Sequence, residues 1–200
     1  MLSTDIRDFV ENVLNNSIEY DDEFSNILEQ ISVDINLQNE LISVLENIES
    51  KLTKTNVNYI LSLVMELTIN HEINMKTLYP MFFRIMFYDY SLDYSLCYRF
   101  CKLLIYMKDN DKEFVLNEII KKITPDDLIA SRISLCSLYG NFDFGIIEQN
   151  LVNTFLNKIL TVLECYNNNA EFKNDIKNFL LPKINCQQYL IYYKKFNDLI

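Results

Sequence analysis

Residues 49–104 read ESKLTKTNVNYILSLVMELTINHEINMKTLYPMFFRIMFYDYSLDYSLCYRFCKLL, and this stretch decides the fold class. Val57, Ile60, Leu61, Val64 and Leu67 recur at spacings of three and four, which draws one apolar stripe along a helix. Thr53 can cap that helix, because its hydroxyl can accept from the free N–H groups of the first turn. The pattern predicts a second helix over 75–87, apolar almost all round through Leu78, Met81, Phe82, Phe83, Ile85 and Met86. A helix of that kind must be covered on more than one side. A third helix, over 94–107, places Cys97, Phe100, Cys101, Leu104 and Met107 on one face.

Upstream, two short helices are expected over 4–14 (Ile6, Phe9, Val10, Val13 and Leu14 inward) and 21–31 (Phe24, Ile27, Leu28 and Ile31 inward). Asn36 can cap the next helix, whose stripe is Leu41, Val44, Leu45, Ile48 and Leu52. This helix and the one after Thr53 would form a first antiparallel pair, and the helices over 75–87 and 94–107 a second. Helix pairs stacked side by side, each burying a face against its neighbours, define an α-solenoid.

Downstream, residues 108–112 (KDNDK) read as a polar turn before a helix with Val115, Leu116, Ile119 and Ile123. Thr124-Pro125-Asp126-Asp127 has the residues of a helix start: a capping hydroxyl, Pro at the first helical position, acids in the first turn. Ile129, Ile133, Cys136 and Tyr139 should face inward from that helix. The chain's two glycines, Gly140 and Gly145, suit a left-handed helix terminus or a close backbone approach. A long stripe follows through Ile147, Leu151, Val152, Phe155, Leu156, Ile159 and Leu163. After a polar turn at 165–170 comes a helix with Phe172, Ile176, Phe179 and Leu180, expected to stop at Pro182. A last helix stacks Tyr189, Tyr193, Phe196 and Ile200. In all, the pattern predicts an all-α chain of roughly ten helices.

Bulk composition agrees with that class. The 200 residues include only two Gly and three Pro, so helix breakers are scarce, and no strand-and-hairpin pattern occurs. A formal charge of −10 disfavours general nucleic-acid binding, because phosphate contacts are made by Lys and Arg. It fits a solvated acidic surface or an acidic face that meets a basic partner. Five Cys, an odd number, most of them on apolar faces, point to a reducing compartment. The acidic start MLSTDIRDFV is unlike a signal peptide, and Arg84 and Asp89 interrupt the best apolar run. A cytoplasmic protein without a membrane span is expected.

Chemistry-bearing patterns are sparse. Two glycines, with four residues between them, cannot build a phosphate-binding loop. His71 falls in a turn, with a solvated position as its simplest role. Cys97 and Cys101 are one helical turn apart, but a zinc site needs four N or S ligands and no second pair has matching spacing. No catalytic, cofactor or metal site is expected. Tyr192-Tyr193-Lys194-Lys195-Phe196 interleaves basic and aromatic residues as single-strand binders do. Tyr193 and Phe196 also belong to the apolar stripe, which fits a packed terminal helix.

The order of these features resembles the middle domain of the translation initiation factor 4G scaffold family. The Lys51-Leu52-Thr53-Lys54-Thr55-Asn56 start, the closing Glu66-Leu67, the apolar helix over 75–87 and Tyr98-Arg99-Phe100-Cys101-Lys102-Leu103-Leu104 follow that family's pattern. Arg132, Ser134-Leu135, Leu138-Tyr139-Gly140 and the aromatic run after it form a second point of similarity. Glu49, Ser50 and Val57 depart from the family, which has Leu and Asn before Lys-Leu-Thr and often Phe after the Asn. Tyr20-Asp21-Asp22-Glu23-Phe24 looks like the start of the segment that grips a cap-binding protein, but Ser25 and Asn26 stand where that segment is apolar. The resemblance implies a HEAT-like solenoid over 36–200, its last repeat shortened, behind an N-terminal helical extension over 1–35. It implies a non-enzymatic scaffold that clamps a DEAD-box RNA helicase of the initiation factor 4A type and speeds its ATPase cycle. Other initiation factors or the ribosome would be further partners, and RNA contact would be weak or indirect. By carry-over, Lys51, Leu52, Asn56 and Val57 would meet one helicase lobe, and Phe179 and Phe196 would mark the site of the other. The rivals are a scaffold of the same fold in mRNA processing and a compact helical adaptor of a parasite or virus that occupies the groove of a host or ribosomal partner.

Overall fold

The computed structural model describes residues 5–15, 22–53, 56–78, 81, 97, 99, 102–103, 109–138 and 143–200. Among them the regular structure is helical, apart from an isolated antiparallel bridge between Thr124 and Asp127. It divides into two compact units, Met1–Ile85 and Met86–Ile200.

In the first unit, α1 (Ile6–Leu14) begins at Asp5, whose carboxylate accepts from the N–H groups of Arg7 and Asp8. All five of its expected inward residues are buried, and Phe9 meets Phe24 of α2 (Asp22–Val33) at 5.8 Å between ring centroids. α3 spans Ile35–Asn47 and α4 spans Val57–Ile69. Within α2, Phe24, Leu28 and Ile31 are buried as the periodicity requires, while Ile27 is half-buried. α4 buries Val57, Ile60, Leu61, Leu63, Val64 and Leu67.

The cap of α3 differs from expectation. Asp34, not Asn36, supplies it: the Asp34 side chain accepts from the Asn36 N–H at 2.8 Å. Asp34 holds the extended backbone that a capping residue needs, with φ −111° and ψ 108°. The packing order differs as well. α3 lies mainly against α1 and α2, and α4 against α1, so the pairing of α3 with α4 is not the dominant contact. The physical reason is α1, which has five apolar side chains to cover and takes both helices as its walls. α1 and α2 thus lie in the same compact unit as α3 and α4.

The second unit is arranged around α7 (Gln149–Cys165), whose Val152, Phe155, Leu156, Ile159, Leu160, Val162 and Leu163 are buried. Against it lie α5 (Asp109–Lys122), α6 (Leu128–Cys136) and α10 (Leu190–Leu199). Full burial of side chains of this size is worth roughly 1.5–3 kcal/mol each. Lys158 on α7 donates to the carbonyls of Ile120 (2.8 Å) and Ile123 (3.2 Å), which closes the C-terminal end of α5.

The polar stretch 108–112 enters α5 from Asp109, because acids in a first turn favour the helix they begin. The helix expected at Thr124 starts three residues later: Thr124–Asp127 forms a bridged turn, and Asp127 caps α6 by accepting from Ala130 N–H at 2.8 Å. Ile129 is exposed, since side chains in a first turn lean back past the helix end. Pro182 does not stop the helix. α8 (Ala170–Asp175) continues as a π-helical segment, Ile176–Leu180, into α9 (Leu181–Ile184). The Leu181 N–H reaches the Ile176 carbonyl, and this wider turn admits a residue with no N–H and a bulky ring. Gly145 serves close approach: a Cβ there would meet the Asp143 carboxylate oxygen at 3.1 Å. Cys165 and Cys186 are exposed, whereas Cys97 and Cys136 are buried. Of the helices expected over 75–87 and 94–107, Met75, Leu78 and Met81 are buried, with 3₁₀ geometry at Lys76–Leu78, and Cys97 and Leu103 are buried helical positions. Arg99 and Lys102 are helical too, half-buried and exposed; the rest of 75–87 and 94–107 lies outside the described residues, as do Tyr20, Asp21, Tyr139 and Gly140.

Candidate functional site

The turn that enters α4 is built from its own sequence. α3 ends at Asn47, a 3₁₀ turn spans Glu49–Lys51, and the Lys51 N–H donates to the Ile48 carbonyl at 2.8 Å. Thr53 and Asn56 then hold each other. The Asn56 side-chain oxygen accepts from the Thr53 N–H at 2.6 Å, and the Thr53 hydroxyl accepts from the Asn56 N–H at 3.3 Å. The two bonds are reciprocal, as in a capping box, but they close the turn ahead of the helix. The Asn56 amide also donates to the Lys51 carbonyl at 3.1 Å, so one side chain ties both arms of the turn. The Thr53 carbonyl accepts the first helical hydrogen bond, from Val57 N–H at 3.0 Å. The N-cap position of α4 is Asn56 and not the expected Thr53: no side chain caps the first turn of the helix, and the Thr53 hydroxyl meets the Asn56 N–H instead.

Four of the six residues singled out by resemblance fall in this turn. Lys51 is exposed and its ammonium pairs with the Glu11 carboxylate of α1. Leu52 is half-buried, and Asn56 is half-buried and committed to the turn. Val57 is only 1% exposed, so its side chain packs in the core and has no surface to offer a partner. The turn can therefore present Lys51 and part of Leu52. The Lys51–Glu11 pair, being exposed, contributes at most about 1 kcal/mol and is easily exchanged for another carboxylate.

The other two residues lie in the second unit. Phe179 is half-buried in the π-helical segment, and Phe196 of α10 is fully buried. Beside Phe196, the Lys195 ammonium sits 6.0 Å from the Tyr192 ring centre, which occupies one aromatic face. Of the segment that looked like a cap-binding grip, Phe24 is buried against Phe9, so that ring belongs to the core. His71 is half-buried in the bend after α4, ahead of Glu72, whose φ is +54°.

One cluster was missed as a unit. Arg132 of α6 donates through Nε to the Asp175 carboxylate of α8 at 2.6 Å and also pairs with Glu171. Its signal was in the pattern: Phe172, Asp175, Ile176 and Phe179 share one helical face, so Asp175 is a charge on an apolar stripe. Near the pair, burial pushes the Cys136 thiol well above its ordinary range, reinforced by Cys97 and Asp175 and opposed by Arg132. A thiol held protonated this way packs as a small hydrophobe and is a poor nucleophile. Ser131, Ser134 and Ser137, all buried on or at the end of α6, satisfy their hydroxyls on the carbonyls of Asp127, Ala130 and Ile133. The buried Tyr189 hydroxyl donates to the Phe144 carbonyl at 3.4 Å, and burial raises its pKa. Among the described residues, no three His, Cys, Asp or Glu side chains are grouped to hold a metal ion, and no helix is long and apolar enough to cross a membrane.

No protein family model, curated protein or solved structure matches this chain.

Proposed function

We propose that this chain is a non-enzymatic helical scaffold that binds a DEAD-box RNA helicase of the initiation factor 4A type, through the turn that enters α4. One observation carries the reading. The reciprocal Thr53–Asn56 hydrogen bonds hold the turn while Lys51 stays exposed and Leu52 stays half-buried, so an apolar-and-cationic corner stands ahead of a helix start. Rigid presentation lowers the entropy that a partner must remove on binding. The finer architecture that goes with this reading is a solenoid of stacked helix pairs, located in the cytoplasm, with other initiation factors or the ribosome as further partners. A scaffold that grips the two helicase lobes unequally in their open and closed states would shift the lobe equilibrium and speed nucleotide exchange.

A titration of labelled chain with purified 4A-type helicase tests this. Lys51→Ala and Leu52→Asp should each weaken binding, with the helical circular dichroism unchanged. Absence of binding at tens of micromolar, where weak specific contacts still register, refutes the reading.

A second reading has its own support. In the first unit α1 fills the space between α3 and α4, which is bundle-like packing and not a run of sequential pairs. That favours a compact adaptor that engages a partner other than a helicase.

A further inference from the structure

The corner where α2 meets α3 has a feature the helicase reading does not use. Val33 is 81% exposed and Ile35 is 62% exposed, on either side of the single joining residue Asp34. The inward faces of the two helices are already occupied by Phe24, Leu28, Ile31, Leu41 and Leu45, so this apolar pair is surplus to the core. Two aliphatic side chains form a small anchor, worth about tenfold in affinity each when covered. A partner must gain the rest elsewhere.

Charge says what kind of partner can do so. From Asp8 to Ser50 the chain has eleven Asp and Glu residues and no Lys, Arg or His. Asp22, Glu29, Asp34, Glu40 and Glu46, on the same two helices and their joint, are all exposed. The imbalance is local: residues 1–85 contain fourteen acidic and five basic residues, and residues 86–200 contain fourteen and thirteen. Such a surface repels nucleic-acid phosphates, anionic lipid headgroups and the same face of a second copy. It complements a polypeptide whose Lys and Arg residues flank an apolar side chain.

We propose that the α2–α3 corner docks a basic segment of another protein, with Val33 and Ile35 covered by the segment's apolar residues and the surrounding carboxylates facing its Lys and Arg. The proposal does not rest on the helicase reading, which concerns the turn before α4, and failure of that reading leaves it standing.

The test uses the full chain and a fluorescein-labelled helical peptide of Lys and Leu, read by anisotropy. Binding should be in the micromolar range and should weaken several-fold between about 50 and 300 mM NaCl, as screened contacts do. The double variant V33S/I35S should bind at least tenfold more weakly. Glu29→Gln with Glu40→Gln should weaken binding and flatten its salt dependence, and Ile191→Ser, at the exposed apolar residue of α10, should change nothing. These side chains are all exposed, so circular dichroism should stay unaltered. Equal binding by V33S/I35S overturns the proposal, as does equal binding of a peptide with Ser in place of every Leu. Concentration-dependent self-association that V33S/I35S abolishes also overturns it, by showing that a second copy covers the corner.

Discussion

Replacing Asp175 by Ala removes the buried carboxylate that the Arg132 guanidinium meets between α6 and α8. The side chains of Arg132 and Asp175 are 13% and 6% exposed, so the pair sits at the buried end of the range for ion pairs. Removing one partner of a buried pair costs roughly 3–5 kcal/mol, because the remaining charge loses both its counter-ion and its water. Two features of the site pull the value to the low end. Glu171 stays in contact with Arg132, although at 74% exposure it returns only about 0.2–1 kcal/mol. The residual exposure of Arg132 also lets some water reach it. We therefore expect Asp175→Ala to destabilise the second unit by about 3 kcal/mol. The double variant Arg132→Met with Asp175→Leu removes both charges and fills much of the space, and should recover most of that loss. Urea unfolding followed by circular dichroism at 222 nm compares the parent chain with both variants, provided the slope of each transition is unchanged. A loss below about 1 kcal/mol for Asp175→Ala, or a double variant no more stable than the single one, would refute the account of the pair.

Thr53→Ala should lower stability by about 1 kcal/mol, and Asn56→Ala by a similar amount; the two should be markedly non-additive, because each side chain satisfies the other's N–H, as thermal melts of the double variant would show. The Cys136 thiol is held protonated in the folded chain, so its contribution to stability is complete below the ordinary thiol pKa of 9.0 and is lost as pH rises above it. Unfolding free energy should fall by up to about 1.4 kcal/mol per pH unit above that point, and Cys136→Ala should remove this component of the slope in urea titrations at stepped pH. Alkylation of the native chain by iodoacetamide, mapped by peptide mass spectrometry, should modify the exposed Cys165 and Cys186 first, with Cys97 and Cys136 reacting only as the second unit opens. Rapid labelling of Cys136 in the native chain would contradict its burial.

Much of the helical frame was legible because apolar residues at spacings of three and four must face a core. Ile6 to Leu14, Val57 to Leu67 and Val152 to Leu163 were read from that rule and are buried as it demands. Helix ends were less legible. Asn36 and Thr124 both have capping side chains, but Asp34 and Asp127 are the residues with the backbone and reach to cap, and side-chain type alone does not distinguish them. Pro182 misled because a π-helical segment absorbs it, and nothing in Ile176–Leu180 announces a wider turn. The placement of α1 between α3 and α4 depends on long-range packing that no local period encodes. For the candidate site, the Lys-Leu-Thr-x-x-Asn pattern was readable as a motif, while its division into presented residues (Lys51, Leu52) and structural ones (Thr53, Asn56, Val57) needed the hydrogen bonds. The exposed Val33 and Ile35 escaped notice because an apolar residue beside a helix joint reads as core.

The measurement that tests the scaffold reading most directly is the RNA-stimulated ATPase turnover of a 4A-type helicase, with the full chain added in increasing amounts. The account predicts that turnover rises and saturates with occupancy, and that Leu52→Asp and Lys51→Ala shift the curve to higher concentration without altering the chain's helical signal. Turnover that stays flat while the chain is present at tens of micromolar, or a stimulation indifferent to both substitutions, would contradict it.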